Sequence, residues 1–151
     1  MCGLCGILTL DGAPVPRDVL AAMNATLVHR GPDQGAEFAS GPCGLANRRL
    51  AVLDLSADAA LPMHSADGAI TLAYNGEIYN YPDLRRTLEA AGFSLRTHAD
   101  AEAVIALYQR HGLDFVEHLR GMFALALWDA PRQQLVLTRD RLGKKPLFLY
   151  Q

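Results

Sequence analysis

The chain has 151 residues, half of them apolar and a fifth charged, which suits one globular domain with a core large enough to stand alone. Its net charge of -2 gives no electrostatic reason to bind nucleic acid or an anionic membrane, and no apolar run approaches the length of a membrane span. Three cysteines, an odd number, argue against a disulfide framework, and with no signal-peptide pattern the expected compartment is the cytoplasm.

The chain opens Met1-Cys2-Gly3-Leu4-Cys5-Gly6-Ile7. A small residue at position 2 favours removal of the initiator methionine, which would leave Cys2 with its thiol and a free α-amine on one carbon. An α-amine has a pKa of about 7.7–8.0 and a cysteine thiol about 8.5, so the amine can take the thiol's proton near neutral pH. A terminal nucleophile activated by its own amine is one reading of Cys2; an ordinary small residue at a frayed end is the other. Leu4 to Leu10 reads as a strand, with Asp11-Gly12 as a turn. Pro16 opens a helix whose stripe of Val19, Leu20, Met23 and Leu27 predicts a core-facing side. His29-Arg30-Gly31-Pro32-Asp33 lies on a loop, because Gly-Pro-Asp is a turn signal.

Cys43 to Leu55 predicts one or two strands, with Asn47, Arg48 and Arg49 ahead of an apolar run, and Leu55 to Gly68 is loop-like. Ile70 to Tyr74 predicts a short strand ending at Asn75-Gly76, a hairpin-turn signal. A helix starts near Asn80 with Pro82 in its first turn, buries Leu84 and Leu88, and stops at Gly92. Phe93 to Thr97 predicts a strand. Ala101 to Arg110 predicts a helix with Asp100 at its positive end, and Phe115 to Leu119 a short helix. Met122 to Trp128, alternating large and small apolar residues, predicts a strand buried on both faces that pairs with Gln134 to Thr138 across a turn. Asp140-Arg141-Leu142-Gly143 is another turn, Lys144-Lys145 reads as a solvated basic turn, and Leu147 to Tyr150 begins a further strand. Strands and helices in blocks, without βαβ alternation, predict an α+β fold.

Several motifs then line up in order: Met1-Cys2-Gly3, the 29–33 pentapeptide, Arg48-Arg49-Leu50, Tyr74-Asn75-Gly76-Glu77-Ile78-Tyr79-Asn80, Asp100 with Glu102, Gly121-Met122-Phe123-Ala124, and Arg139-Asp140-Arg141-Leu142-Gly143 with Lys145-Pro146-Leu147. Across its whole length the chain resembles the glutaminase domain of asparagine synthetase-type enzymes, glutamine amidotransferases of the N-terminal-nucleophile class. The resemblance implies a four-layer αββα sandwich of two antiparallel sheets flanked by helices. It also implies a reaction, glutamine to glutamate plus ammonia, with Cys2 as nucleophile. Asn75, through its side-chain amide, and Gly76, through its N–H, would form the oxyanion hole. Arg49 would bind glutamine's α-carboxylate and Asp100 its α-ammonium, while Leu50, Ala51, Val52, Leu53 and the Glu77 backbone line the pocket. The 29–33 loop shapes the site without a chemical role.

Three stretches depart from the usual family pattern. Ala46-Asn47 stands where many relatives carry Gly-His, Ala99-Asp100-Ala101-Glu102 lacks two hydroxyls of Ser-Asp-Thr-Glu, and Ala59-Ala60-Leu61-Pro62-Met63 replaces Gly-His-Gln-Pro-Met. The resemblance further implies that residues 1–151 are one amidotransferase domain of a longer chain. Its partners would be glutamine and a C-terminal ATP-dependent synthetase domain, with aspartate as the commonest ammonia acceptor and a homodimer as one allowed assembly. No cofactor or metal is expected in this domain; ATP and magnesium would belong to the synthetase domain. Two rival readings remain open, a non-catalytic docking module of the same fold and a metal or redox site at Cys2-x-x-Cys5. The second is weakened because residues three apart on a strand point to opposite faces.

Overall fold

A computed structural model describes residues 2–51, 54 and 56–151. Its elements, in chain order, are β1 (Gly3–Leu8), α1 (Arg17–Thr26), β2 (Gln34–Ser40), β3 (Cys43–Arg49), β4 (Met63–His64), β5 (Ile70–Ile78), α2 (Tyr81–Ala90), α3 (Asp100–His111), β6 (Gly121–Asp129) and β7 (Gln134–Arg139). Short 3₁₀ turns occupy Ala57–Ala59 and Gly112–His118. One antiparallel sheet runs β1-β3-β2 and the other β4-β5-β6-β7. Helix α1 packs on the first sheet, β1 and β3 lie over β5, and α3, with α2 beside it, covers the second sheet. The order of layers is therefore αββα, as the resemblance implied.

Three apolar clusters fill the three gaps between layers. Val15, Leu20 and Ala46 lie between α1 and the first sheet. Cys43, Leu45, Ala73, Ala126 and Trp128 lie between the sheets. The largest cluster, including Leu72, Phe123, Leu125, Leu127, Leu88, Val104 and Phe115, lies between the second sheet and α2 and α3. The large-small alternation in β6 follows from this: Phe123, Leu125 and Leu127 face the helices, and the smaller Ala126 faces the other sheet. Residues on β3 alternate likewise, so Asn47 and Arg49 share the sheet-facing side of Cys43 and Leu45.

Several sequence expectations change. Asn75-Gly76 is no turn: both residues lie inside β5, paired with Ala124 and Phe123 of β6. Gly76 is required there for space, because a Cβ would lie 2.5 Å from the Met122 carbonyl oxygen and 2.7 Å from the Phe123 Cα. Phe93 to Thr97 is not a strand. The Glu102 carboxylate accepts the N–H groups of Arg96 (2.9 Å) and Thr97 (2.7 Å) and the Thr97 hydroxyl, folding this stretch onto the start of α3. Burial raises the Glu102 pKa, but those hydrogen bonds outweigh it and hold the carboxyl below its ordinary range.

Strand β2 was not anticipated, since Gln-Gly-Ala-Glu-Phe-Ala-Ser contains no β-branched residue. Leu20 and Asn24 form the buried side of α1, while Val19 is exposed. Asn80 precedes α2 without capping it; its side chain donates to the His118 carbonyl and accepts from the Arg120 N–H, tying α2 to the start of β6. Leu147 to Tyr150 joins neither sheet among the described residues. No helix among the described residues is long and apolar enough to cross a membrane.

Candidate active site

A cavity of about 170 Å³ opens where the start of β1, the end of β3, the second half of β5 and the start of α3 meet. Cys2, Arg49, Leu50, Asn75, Gly76, Glu77 and Asp100 all line it. The expected site residues thus converge from four separate segments. Ala51 does not line the cavity, although its main chain is fixed beside it, and Val52 and Leu53 lie outside the described residues.

Strand parity brings the Cys2 side chain to the cavity. Cys2 and Leu4 share one face of the β1 backbone and Cys5 the other: Leu4 packs into the inter-sheet core, while Cys5 packs toward Val15, Leu20 and Ala46 under α1. The Leu50 N–H lies 3.4 Å from the Cys2 Sγ and the Leu50 carbonyl oxygen 3.8 Å from it, so the main chain after Arg49 orients the sulfur. Cys5 and Cys43 are poor thiolates: burial and then Glu37 push the Cys5 thiol up to about 11, and burial pushes Cys43 up to about 12. With Cys2 and Cys5 on opposite faces, the pair is not arranged as a redox motif. Among the described residues, no group of three or more His, Cys, Asp or Glu side chains is placed to hold a metal ion.

The 29–33 loop holds the Arg49–Ala51 segment in place. The Asp33 carboxylate accepts the Ala51 N–H at 2.9 Å, and the Asp33 N–H donates to the Arg49 carbonyl at 3.2 Å. Gly31 lies against the backbone of Arg48 and Arg49, where a Cβ would overlap main-chain atoms. The loop therefore shapes the wall that carries both Arg49 and the Cys2-binding Leu50 main chain.

Arg49 is 9% exposed and its guanidinium donates to the Asp54 carbonyl oxygen. Asp54, unanticipated in the site, also accepts the Ser56 N–H (2.8 Å) and the His98 N–H (2.9 Å). Hydrogen bonds from Ser56, side chain and then backbone, and from His98 hold its carboxyl down at about 2. Through Asp54 the Arg49 wall is joined to the residues just before α3.

Asp100 opens α3 inside the cavity. Its Oδ2 accepts the Tyr74 hydroxyl at 2.7 Å and the Ile78 N–H at 2.8 Å. Burial pushes the Asp100 carboxyl up despite these bonds, and Glu77 adds to the rise. Burial and then the Asp100 charge push the Tyr74 hydroxyl far up, so it stays a donor to the carboxylate. Ala99 and Ala101, the positions that lack the family's hydroxyls, flank Asp100 on the lining.

Asn75 is 7% exposed, and among the described residues its side-chain amide makes no hydrogen bond although it lines the cavity. Lys145 corrects another expectation. It is 5% exposed and lines the cavity, whereas Lys144 is exposed. The Asp140 carboxylate causes this by accepting the N–H groups of Phe123, Leu142, Lys144 and Lys145, which turns the chain inward at Lys145. Tyr74 and Met122, also on the lining, were not singled out for the site. Both belong to motifs named above, but only strand pairing shows that they reach the cavity.

A family model described as a glutamine amidotransferase domain matches residues 1–151. Asparagine synthetase [glutamine-hydrolyzing] 2 of Bacillus subtilis is 40% identical over 98% of this chain, which spans 20% of that relative's length. Amidase chry2 of Gibberella zeae is also 40% identical over 98% of the chain and 24% of its own length. The asparagine synthetase of Asparagus officinalis is 37% identical over 99% of the chain and 25% of its length. The chain therefore spans about a fifth to a quarter of the length of these relatives. Among solved structures, glutamine phosphoribosylpyrophosphate amidotransferase from B. subtilis, complexed with ADP and GMP, superposes on 93% of this chain and 37% of its own with a TM-score of 0.72. At 18% identity that likeness speaks for the fold alone.

Proposed function

This chain belongs to the glutamine amidotransferase domain family, and from that premise we propose that it releases ammonia from glutamine with Cys2 as the nucleophile. One observation carries the reading: a thiol, an uncommitted carboxamide, a guanidinium and a carboxylate converge on one cavity. Arg49 would take the α-carboxylate of glutamine and Asp100 its α-ammonium, leaving the side-chain amide to reach Cys2. The thiolate attacks the amide carbon, and the negative oxygen that develops is held by the Asn75 amide and the Gly76 N–H. As this intermediate collapses, the amino nitrogen takes a proton from the α-ammonium of Cys2, the C–N bond breaks, and ammonia leaves with the α-amine neutral again. A thioester remains, and water attacks it to give glutamate and the free thiol.

This chemistry requires no cofactor. The ammonia would pass to an ATP- and magnesium-using synthetase domain in the remainder of a longer protein, with aspartate as acceptor. The names of the relatives, asparagine synthetases, and the fraction of their length that this chain spans support that extension. The test is ammonia release by the full-length protein, with its N-terminus read by mass spectrometry. Material beginning at Cys2 is expected to form glutamate and ammonia in equal amounts, and material retaining Met1 neither. Processed protein that hydrolyses no glutamine and is not labelled at Cys2 by a glutamine-mimicking chloroketone would leave a non-catalytic module as the better reading.

Asp100 sets an acid limb on this reaction. An ammonium group needs the ionised carboxylate, and burial has pushed that carboxyl above the ordinary range near 3.9. As pH falls through the raised pKa, Asp100 takes up a proton and its attraction for the ammonium is lost. The KM for glutamine is therefore expected to climb on acidification, starting at a pH where an ordinary aspartate would still be ionised. In Asp100→Asn the KM should be high at every pH with this limb gone; an unchanged KM profile would remove Asp100 from the ammonium site.

A further inference from the structure

Asn47 is fully buried, and its amide makes three hydrogen bonds, one to β1 in its own sheet and two to β5 in the other. Its Nδ2 donates to the Gly3 carbonyl at 2.8 Å and to the Tyr74 carbonyl at 3.0 Å, and its Oδ1 accepts the Tyr74 N–H at 2.9 Å. Gly3 follows Cys2, and Tyr74 precedes Asn75. The two-residue β4 pairs with Thr71 and Leu72, so among the described residues the edge of β5 beyond it has no strand neighbour, and Asn47 takes both polar main-chain groups of Tyr74.

We propose that Asn47 is the positioning residue that sets the separation between the Cys2 sulfur and the oxyanion donors on Asn75 and Gly76. This inference rests on the amidotransferase reading and adds to it a residue outside the cavity lining. The chemistry of the amide fits the task. Two N–H donors and one carbonyl acceptor are needed, which is the inventory of a carboxamide, and the opposite flip would aim an NH₂ at the Tyr74 N–H. An aspartate of the same shape offers only acceptors when ionised and would face two carbonyl oxygens. An aliphatic residue would leave all three main-chain groups without partners. The sheets would still be joined by the Leu45, Ala73, Ala126 and Trp128 cluster, so the fold has other support, but among the described residues no other side chain of the first sheet hydrogen-bonds to β5 beside the cavity.

The measurement that separates positioning from mere folding compares two alkylating agents on Cys2 of the full-length protein. A glutamine-mimicking chloroketone must seat its carbonyl among the oxyanion donors, whereas iodoacetamide needs only an accessible thiolate. In Asn47→Asp the chloroketone rate is expected to fall by about 10- to 10²-fold relative to the iodoacetamide rate, the loss associated with a misplacement of roughly 1 Å. The kcat for ammonia release should fall in parallel, by more than any rise in KM for glutamine. Should Asn47→Asp fail to fold, Asn47→His, which retains one donor and one acceptor, carries the same comparison with a smaller expected drop. An unchanged ratio of the two rates, with kcat preserved, overturns the assignment of Asn47. Wild-type protein that shows no preference for the chloroketone overturns the amidotransferase reading itself, so the two failures are distinct.

Discussion

Cys2→Ala is expected to abolish ammonia release from glutamine, a fall of at least about 10⁴-fold in kcat on the scale of other removed nucleophiles. The size of the effect follows from the absence of a substitute. The other two thiols are held protonated, Cys5 under α1 with its thiol near 11 and Cys43 between the sheets near 12. Water could still attack a bound glutamine, but without the thiol the amide must be hydrolysed in one step. Binding should survive, because Arg49 and Asp100 are held by contacts that do not involve the sulfur: Asp54 for the first, Tyr74 and Ile78 for the second. The informative result is therefore split, with turnover lost while glutamine still protects the Cys2→Ala protein against heat. Turnover that persisted would end the nucleophile assignment, and loss of protection together with turnover would point to a damaged pocket.

The layers of the fold were readable from the chain because each strand or helix face leaves a local trace. The large-small alternation of 122–128 identified a strand covered on both sides, and β6 is covered by the helices on one face and the other sheet on the opposite one. What local traces missed was decided elsewhere. Asn75-Gly76 carries a turn signal, yet the chain runs straight through it, because Gly76 serves close approach to Met122 and Phe123 rather than a change of direction. Phe93 to Thr97 alternates like a strand, and the Glu102 carboxylate further along the chain claims its amides instead.

The site was legible as an ordered series of motifs; its geometry was not. Nothing between Arg49 and Asp100 in the chain says that they meet across a cavity, and nothing in Lys144-Lys145 says which lysine turns inward. Asp54, a lone aspartate in a loop, gives no signal in the sequence; its hydrogen bonds to Ser56 and His98 are visible only in the fold. In the chain Asn47 shows only as a polar residue ahead of an apolar run and as a departure from a common Gly-His pair. Its role between the sheets depends on two strands that are adjacent in space and 27 residues apart in the chain.

Asn75→Ala should lower kcat for glutamine by roughly 10²–10³, the cost of removing one preorganised oxyanion donor, while KM changes little. The split is expected because the amide has no hydrogen-bond partner among the described residues, so it can serve charge that appears only during the reaction. Its position is fixed by β5, whose neighbours Ala73 and Tyr74 are buried in separate cores, and the truncation leaves that backbone intact. Gly76 would still offer its N–H, so activity should remain measurable, unlike in Cys2→Ala. Asn75→Asp is the sharper variant: it keeps the shape and sets a negative charge where the oxyanion must form, so its kcat should fall below that of Asn75→Ala. If the two variants were equally active, or either matched the unaltered protein, the developing charge would have to be stabilised by other groups. Lys145, buried on the same lining, would then be the next residue to replace.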